Sequence, residues 1–161
     1  MKISASIIIF IFPLIVSASC ITEDAALPEN NVPRSASQTS EFMKDTINII
    51  IGDNHFTAIL ESNPAAIELK KMLPLTINMK DLNSNEKFFD LPSILPTNAS
   101  SPATIKSGDI MLWGSNTLVL FYKTFNTSYS YTRLGKIENP SGLLEALGSG
   151  NVKVTFELLA N

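Results

Sequence analysis

Histidine occurs once in these 161 residues, cysteine once, and arginine only twice, at Arg34 and Arg133. Each scarcity removes a class of chemistry. A Ser-His-Asp relay would have to use His55, and no serine stands in a nucleophile-elbow motif. Cys20 is far in sequence from His55, so a Cys-His pair is not expected, and a lone cysteine forms no internal disulfide. One imidazole and scattered carboxylates give no transition-metal spacing, so no metal is expected. His55, beside a hairpin turn, reads as an exposed turn residue. Glycine is too sparse for a phosphate cradle between a strand and a helix; Gly148-Ser149-Gly150 reads as a helix stop and turn. No cofactor is expected. Twelve basic residues, scattered singly apart from Lys70-Lys71, against a net charge of −3, leave no electrostatic footprint for nucleic acid. Carboxylate pairs such as Glu86 and Asp90 occur without a cleft to join them, so glycoside hydrolysis gains no support.

Long apolar runs are also missing. Ile7 to Val16 (IIIFIFPLIV) is interrupted by Pro13 and falls short of the roughly 20 apolar residues that span a bilayer. With Lys2 before it and Ser17-Ala18-Ser19 after it, the run reads as a signal peptide over residues 1–19. Two processing routes fit. Small residues at 17 and 19 suit ordinary signal peptidase cleavage, whereas VSASC resembles a lipobox with Ser17 where leucine is usual. An exposed free thiol is a liability in an oxidising compartment, and Cys20 stands directly at the cleavage point. Lipidation of Cys20 is the better reading. Residues 21–41 carry two prolines, many small polar residues and no apolar periodicity, so residues 20–44 form a lipidated cysteine and flexible tether. The expected location is the cell envelope, at the outer membrane or cell surface, with the membrane as partner through the anchor.

Residues 45–161 then form one folded domain. Ile47, Ile49 and Ile51 alternate with Thr46, Asn48 and Ile50, Gly52-Asp53-Asn54 turns, and His55 to Leu60 runs back as a hairpin. Asn63 caps a helix with Pro64 in its first turn; Pro74 ends it after Leu73, and its inner stripe is Ala66, Leu69 and Leu73. Leu75 to Lys80 and Glu86 to Leu91 are strands joined by a DLNSN turn. Pro92 to Pro102, with three prolines, is a long surface loop, a length that suggests function or disorder. Asn139-Pro140 opens a second short helix that ends at Gly148, and Val152 to Leu158 is the last strand.

The block Gly108 to Ile137 (GDIMLWGSNTLVLFYKTFNTSYSYTRLGKI) is the most telling. Ile110, Leu112, Leu118 and Leu120 alternate with Met111, Trp113, Val119 and Phe121, so both strand faces are apolar. Strands of that kind belong to a closed barrel or a covered sheet. With INIIIGDNHFTAIL and LPLTINMKDLN, this block resembles the bacterial cyclophilin-like domain family over Asp45 to Leu158. The resemblance implies a mainly β fold: a closed antiparallel barrel of about eight strands with two helices covering its ends. Strand 152–158 should close against strand 46–51, because closure removes exposed edges.

A shape in common with prolyl isomerases does not bring their residues. Cyclophilins carry an arginine on an early strand in a Phe-His-Arg context, a glutamine, and a later tryptophan and histidine. Here the early strands lack arginine, Gln38 lies in the tether and His55 in the hairpin. Trp113, Phe121 and Arg133 supply similar residue types from other places. Period-two alternation puts Tyr129, Tyr131 and Arg133 on one face, where the tyrosines can stack on the guanidinium. The plainer alternative pairs Arg133 with a carboxylate at the barrel rim and keeps Trp113 and Phe121 as core aromatics. The ligand-binding candidates are Arg133, Tyr131, Tyr129, Phe121 and Trp113. The leading expectation is a non-catalytic peptide or small-ligand binding module with its groove near Arg133 and the loop 92–102. A weak peptidyl-prolyl isomerase, or an assembly partner without a small-molecule site, is the alternative.

Overall fold

In a computed structural model the chain is described over residues 45–159; residues 1–44, including Cys20, and 160–161 lie outside it. The first hairpin forms from β1 (Thr46–Ile51) and β2 (Asn54–Leu60). Ile51 pairs with Asn54, so the turn is two residues, and Gly52 takes φ 58° at its first position.

Helix α1 (Pro64–Lys71) follows as the capping residues demand: Asn63 Oδ1 accepts from the Ala66 amide at 3.0 Å, with proline behind the cap. Its inner face is Ala65, Ala66 and Leu69; Leu73 lies beyond the helix and is half-buried. The Asn63 amide also donates to the Arg133 carbonyl at 2.8 Å, tying the helix start to a distant strand.

The remaining strands are β3 (Leu75–Leu82), β4 (Glu86–Asp90), β5 (Thr104–Ile105), β6 (Asp109–Trp113), β7 (Thr117–Phe121), β8 (Phe125–Asn126), β9 (Thr132–Ile137) and β10 (Val152–Leu158). Eight of them close an antiparallel barrel in the order β1-β10-β3-β4-β7-β6-β9-β2. The closing seam pairs β1 with β10, Ile49 opposite Phe156, as the alternation of those strands predicts. Ile47, Ile49, Met79, Leu112, Leu120, Val154 and Phe156 fill the interior. No room for a ligand is expected inside a barrel of this strand number packed with large side chains. Helix α2 (Leu143–Leu147) adds Leu143 and Leu147 to the same core. It begins three residues later than the Asn139-Pro140 pair suggests. Asn139 Oδ1 caps the Ser141 amide in a local turn, and Gly142 at φ 80° redirects the chain before the helix starts.

β5 and β8 form a separate two-stranded ribbon with no counterpart in the sequence reading, since each is only two residues long. Its effect is large. Ile105 and Phe125 from the ribbon pack with Phe88, Met111, Val119, Phe121 and Tyr131 into a second apolar cluster, distinct from the barrel core. The two-faced strands β6 and β7 are thereby explained: one face fills the barrel, and the other lies under a cover.

The loop after β4 is ordered by specific bonds. The Leu91 amide donates to Asn116 O at 2.8 Å and the Leu95 amide to Ser115 O at 2.7 Å. Further on, the Asn98 amide donates to Thr132 Oγ1, and Ser100 bridges Tyr131. Among the described residues, no helix is long and apolar enough to cross a membrane.

Candidate functional site

Ladder register determines which side chains share the outer surface of the barrel beside the ribbon. Glu86 pairs with Phe121, Phe88 with Val119 and Asp90 with Thr117 across β4 and β7, and Met111 and Trp113 continue these rows onto β6. Alternation turns this set away from the barrel core. A cavity of about 590 Å³ stands over it. Phe88 and Val119 form its apolar floor; Leu82, Asn83 and Asn85 contribute from the β3–β4 hairpin, and Phe125 to Tyr129 from β8 and the chain after it. Tyr131 lines it from just before β9, and Trp113 from the end of β6.

The hairpin wall has a defined backbone. Asn83 and Ser84 sit at φ 54° and 52°, and both belong to residue types that tolerate the tight turn between Leu82 and Glu86. Ser84 is further held by its amide donating to Asp81 Oδ1 at 3.2 Å.

The aromatic candidates are distributed by depth. Phe121 is fully buried beneath the cavity, edge-on to Tyr131 with ring centroids 5.5 Å apart and an 88° angle, and tilted against Phe125 at 5.8 Å. Tyr131 is buried and lines the cavity, while Tyr129 lines it and is 68% exposed. Trp113, a ligand-binding candidate that the plainer alternative keeps in the core, lines the cavity and is 54% exposed. It is the last residue of β6, and its outward side chain projects past the cluster that covers Met111.

Arg133 is outside the cavity lining. Its side chain is on the outer face beside Met111, 46% exposed, with Nη1 4.0 Å from Asp109 Oδ1. That is the rim pairing the plainer reading anticipated. The loop 92–102 contributes no lining residue either, so the groove is not where the expectation put it, although Tyr129 and Tyr131 belong to it.

The charged groups of the cavity are two acids that the sequence offers only as a pair without a cleft. Glu86 is only 8% exposed and lines the cavity, and among the described residues its carboxyl makes no hydrogen bond. Burial, with the charge of Asp81 added, pushes its pKa up to about 7. Burial, then the Glu86 charge, also raises the Tyr131 phenol. Asp90, on the same strand face, is exposed and accepts from Thr117 Oγ1 at 2.7 Å. The two acids were visible as a pair four residues apart; the cleft that joins them was not. Asn85 also lines the cavity, and its Oδ1 is buried without a partner. No lysine, arginine or histidine contributes to the lining.

Behind Glu86 is a polar knot. Lys87 is fully buried and donates to Asp81 Oδ2 at 2.6 Å and to the carbonyls of Gly148 at 2.9 Å and Gly150 at 2.7 Å. Tyr122 donates to the same Asp81 oxygen at 2.7 Å, its ring 5.4 Å from the ammonium. Hydrogen bonds from Lys87 and then Tyr122 hold the Asp81 carboxyl below the usual range. Among the described residues, no group of three or more His, Cys, Asp or Glu could hold a metal. His55 is exposed but is a strand residue of β2 paired with Ile50, not a turn residue, and its Nδ1 stands 3.2 Å from Asn48 Nδ2.

Comparison with known proteins agrees with this architecture. The family model described as the cyclophilin-like family matches residues 49–157. No curated protein matches the sequence. Among solved structures, the solution structure of a hypothetical protein from Archaeoglobus fulgidus superposes with a TM-score of 0.54 at 16% identity. The match covers 71% of this chain and 94% of that one. At that identity the likeness speaks for the fold alone.

Proposed function

This chain belongs to the cyclophilin-like family, and from that premise we propose that its domain binds a small ligand or peptide segment without catalysing a reaction. The observation that carries this reading is the outer cavity of about 590 Å³, with an apolar floor and aromatic walls from separate strands. A concave apolar site with a few convergent polar groups is the usual form of a ligand site. A domain serving only as an assembly partner has no need of it.

The isomerase alternative lacks support at the same place. Twisting an X-Pro amide crosses a barrier of about 18–20 kcal/mol, lowered by a donor to the prolyl nitrogen. The cavity lining holds no cation, and Arg133 is turned to Asp109. Residues 1–19 as signal peptide, Cys20 as lipid anchor and residues 20–44 as tether complete the proposal, placing the domain in the cell envelope at a membrane. These segments lie outside the described residues.

The cavity reading is tested with a neutral amphiphile, 4-phenylbutan-1-ol, on the full-length chain. Trp113 is its one tryptophan, so emission reports the cavity mouth. A saturable emission change is expected, and Val119→Phe, which narrows the floor, should abolish it while the domain still unfolds cooperatively at a somewhat lower melting temperature. No change in the wild type overturns the reading.

A further inference from the structure

The cavity combines two features rarely placed together by chance. Its surface is aromatic, with Phe88, Trp113, Phe125, Tyr129 and Tyr131, and its charged groups are all acidic. Glu86 lies at one end of the floor and Asp90 two ladder rows away. At roughly 3.3 Å per residue, four residues separate their Cα atoms by about 13 Å.

Resting on the binding reading above, we propose that the ligand is a small organic ammonium: a protonated amine on an apolar body, its charge held by Glu86 and its body lying on Phe88 and Val119.

The argument is one of unmet partners. Glu86 is more than nine-tenths buried as a residue, and its carboxyl, without a hydrogen bond from the described residues, opens only to the cavity it lines, where an incoming donor can reach it. No lining residue is a cation, and the Lys80 ammonium, from β3, stands 5.9 Å from the Phe88 ring centroid. Asp81 on β3 is acidic; Tyr122 after β7 gives its proton to Asp81; Tyr131 and Tyr129 before β9 are phenols; Asp90 on β4 itself is acidic. The neighbouring Lys87 points to the barrel side, where Asp81 and two carbonyls occupy it. An ammonium entering from solvent would therefore meet a waiting acceptor with aromatic faces around it, the setting in which cations are recognised. The raised Glu86 pKa agrees in direction: burial and then the Asp81 charge disfavour the carboxylate, and an ammonium beside it would favour it. The two acids on the lining, Glu86 and Asp90, disfavour an anionic ligand.

The test compares three ligands of one shape on the full-length chain at pH 8: 4-phenylbutylamine, 4-phenylbutan-1-ol and 4-phenylbutyrate. Trp113 emission and titration calorimetry give the affinities. The amine should bind about tenfold or more tighter than the alcohol, the margin expected of a charge-assisted hydrogen bond, and the carboxylate weakest. Glu86→Gln should remove most of that margin between amine and alcohol. Equal binding of amine and alcohol overturns the ammonium proposal and leaves the cavity reading standing. Silence from all three overturns both. An amine preference that survives in Glu86→Gln and vanishes in Asp90→Asn overturns Glu86 as the anchor. Because the three-ligand comparison uses the wild type, a poorly folding variant cannot shelter the proposal.

Discussion

The Lys87 ammonium lies 2.6 Å from Asp81 Oδ2 across the β3–β4 pair, and it is sealed from solvent while the Asp81 side chain keeps 21% of its exposure. The two Gly carbonyls after α2 complete the acceptor set, so one buried cation joins the hairpin to the chain entering β10. Removing it strands three acceptors. Lys87→Met should lower unfolding stability by about 3 kcal/mol, the scale for breaking one side of a buried pair. Urea unfolding checks this; a loss under about 1 kcal/mol would show that packing alone holds the junction.

Glu86 makes stability depend on pH in a defined direction. Its folded pKa, about 7, stands above the ordinary 4.5, so the fold favours the protonated acid. Its contribution is fully present below pH 4.5 and is lost as pH rises through 7, on the order of 3 kcal/mol in all. Asp81, shifted down, acts oppositely and only in acid. Glu86→Gln should therefore be more stable than wild type at pH 8 and should flatten the decline between pH 4.5 and 7. An unchanged pH profile would rule out a protonated Glu86.

Gly135 stands at a close approach of β9 to β2. A Cβ there would lie 2.5 Å from the Ile59 carbonyl and 3.0 Å from the Leu60 Cα, both backbone atoms that cannot step aside. Gly135→Ala should cost about 1–3 kcal/mol by forcing β2 from β9. Thermal melting measures it, and a neutral result would mean that this seam is looser than the ladder implies.

Arg133 should prove dispensable for binding. Its contact with Asp109 is 4.0 Å long and half open to solvent, so Arg133→Ala should cost under about 1 kcal/mol and leave amine affinity unchanged. The full-length chain should also leave cis/trans exchange of an X-Pro test peptide at its uncatalysed tens to hundreds of seconds. Acceleration that disappears in Arg133→Ala at constant melting temperature would make that guanidinium the electrophile of a rearranged isomerase site.

The proposed anchor is checked by fractionation and mass. Cys20→Ala should move the protein from the membrane fraction to the soluble one. The wild-type mass should carry more than one acyl chain, because a single chain binds only marginally. Retention of the variant in the membrane would refute lipid anchoring.

Local sequence alone determined the barrel. Alternation in Thr46–Ile51, Leu75–Leu82 and Val152–Leu158 assigns each strand an inner face, Gly52 and Pro64 punctuate the chain, and strands apolar on both faces require two covers. These signals have short range, and each is written in neighbouring residues. Tertiary structure alone decided the site. The second cover is a ribbon of two-residue strands, too short for any periodicity, brought together from Thr104–Ile105 and Phe125–Asn126. Trp113 reads as core because its strand is apolar, yet it stands at the strand's end where the cover stops. Glu86 and Lys87 are adjacent and both charged, and no local pattern assigns either a partner. The pleat sends one to the cavity and the other to the barrel interior, and only the fold supplies the acceptors for Lys87 and withholds a cation from Glu86. A residue's partners across a barrel are set by register and closure, which no window of sequence contains.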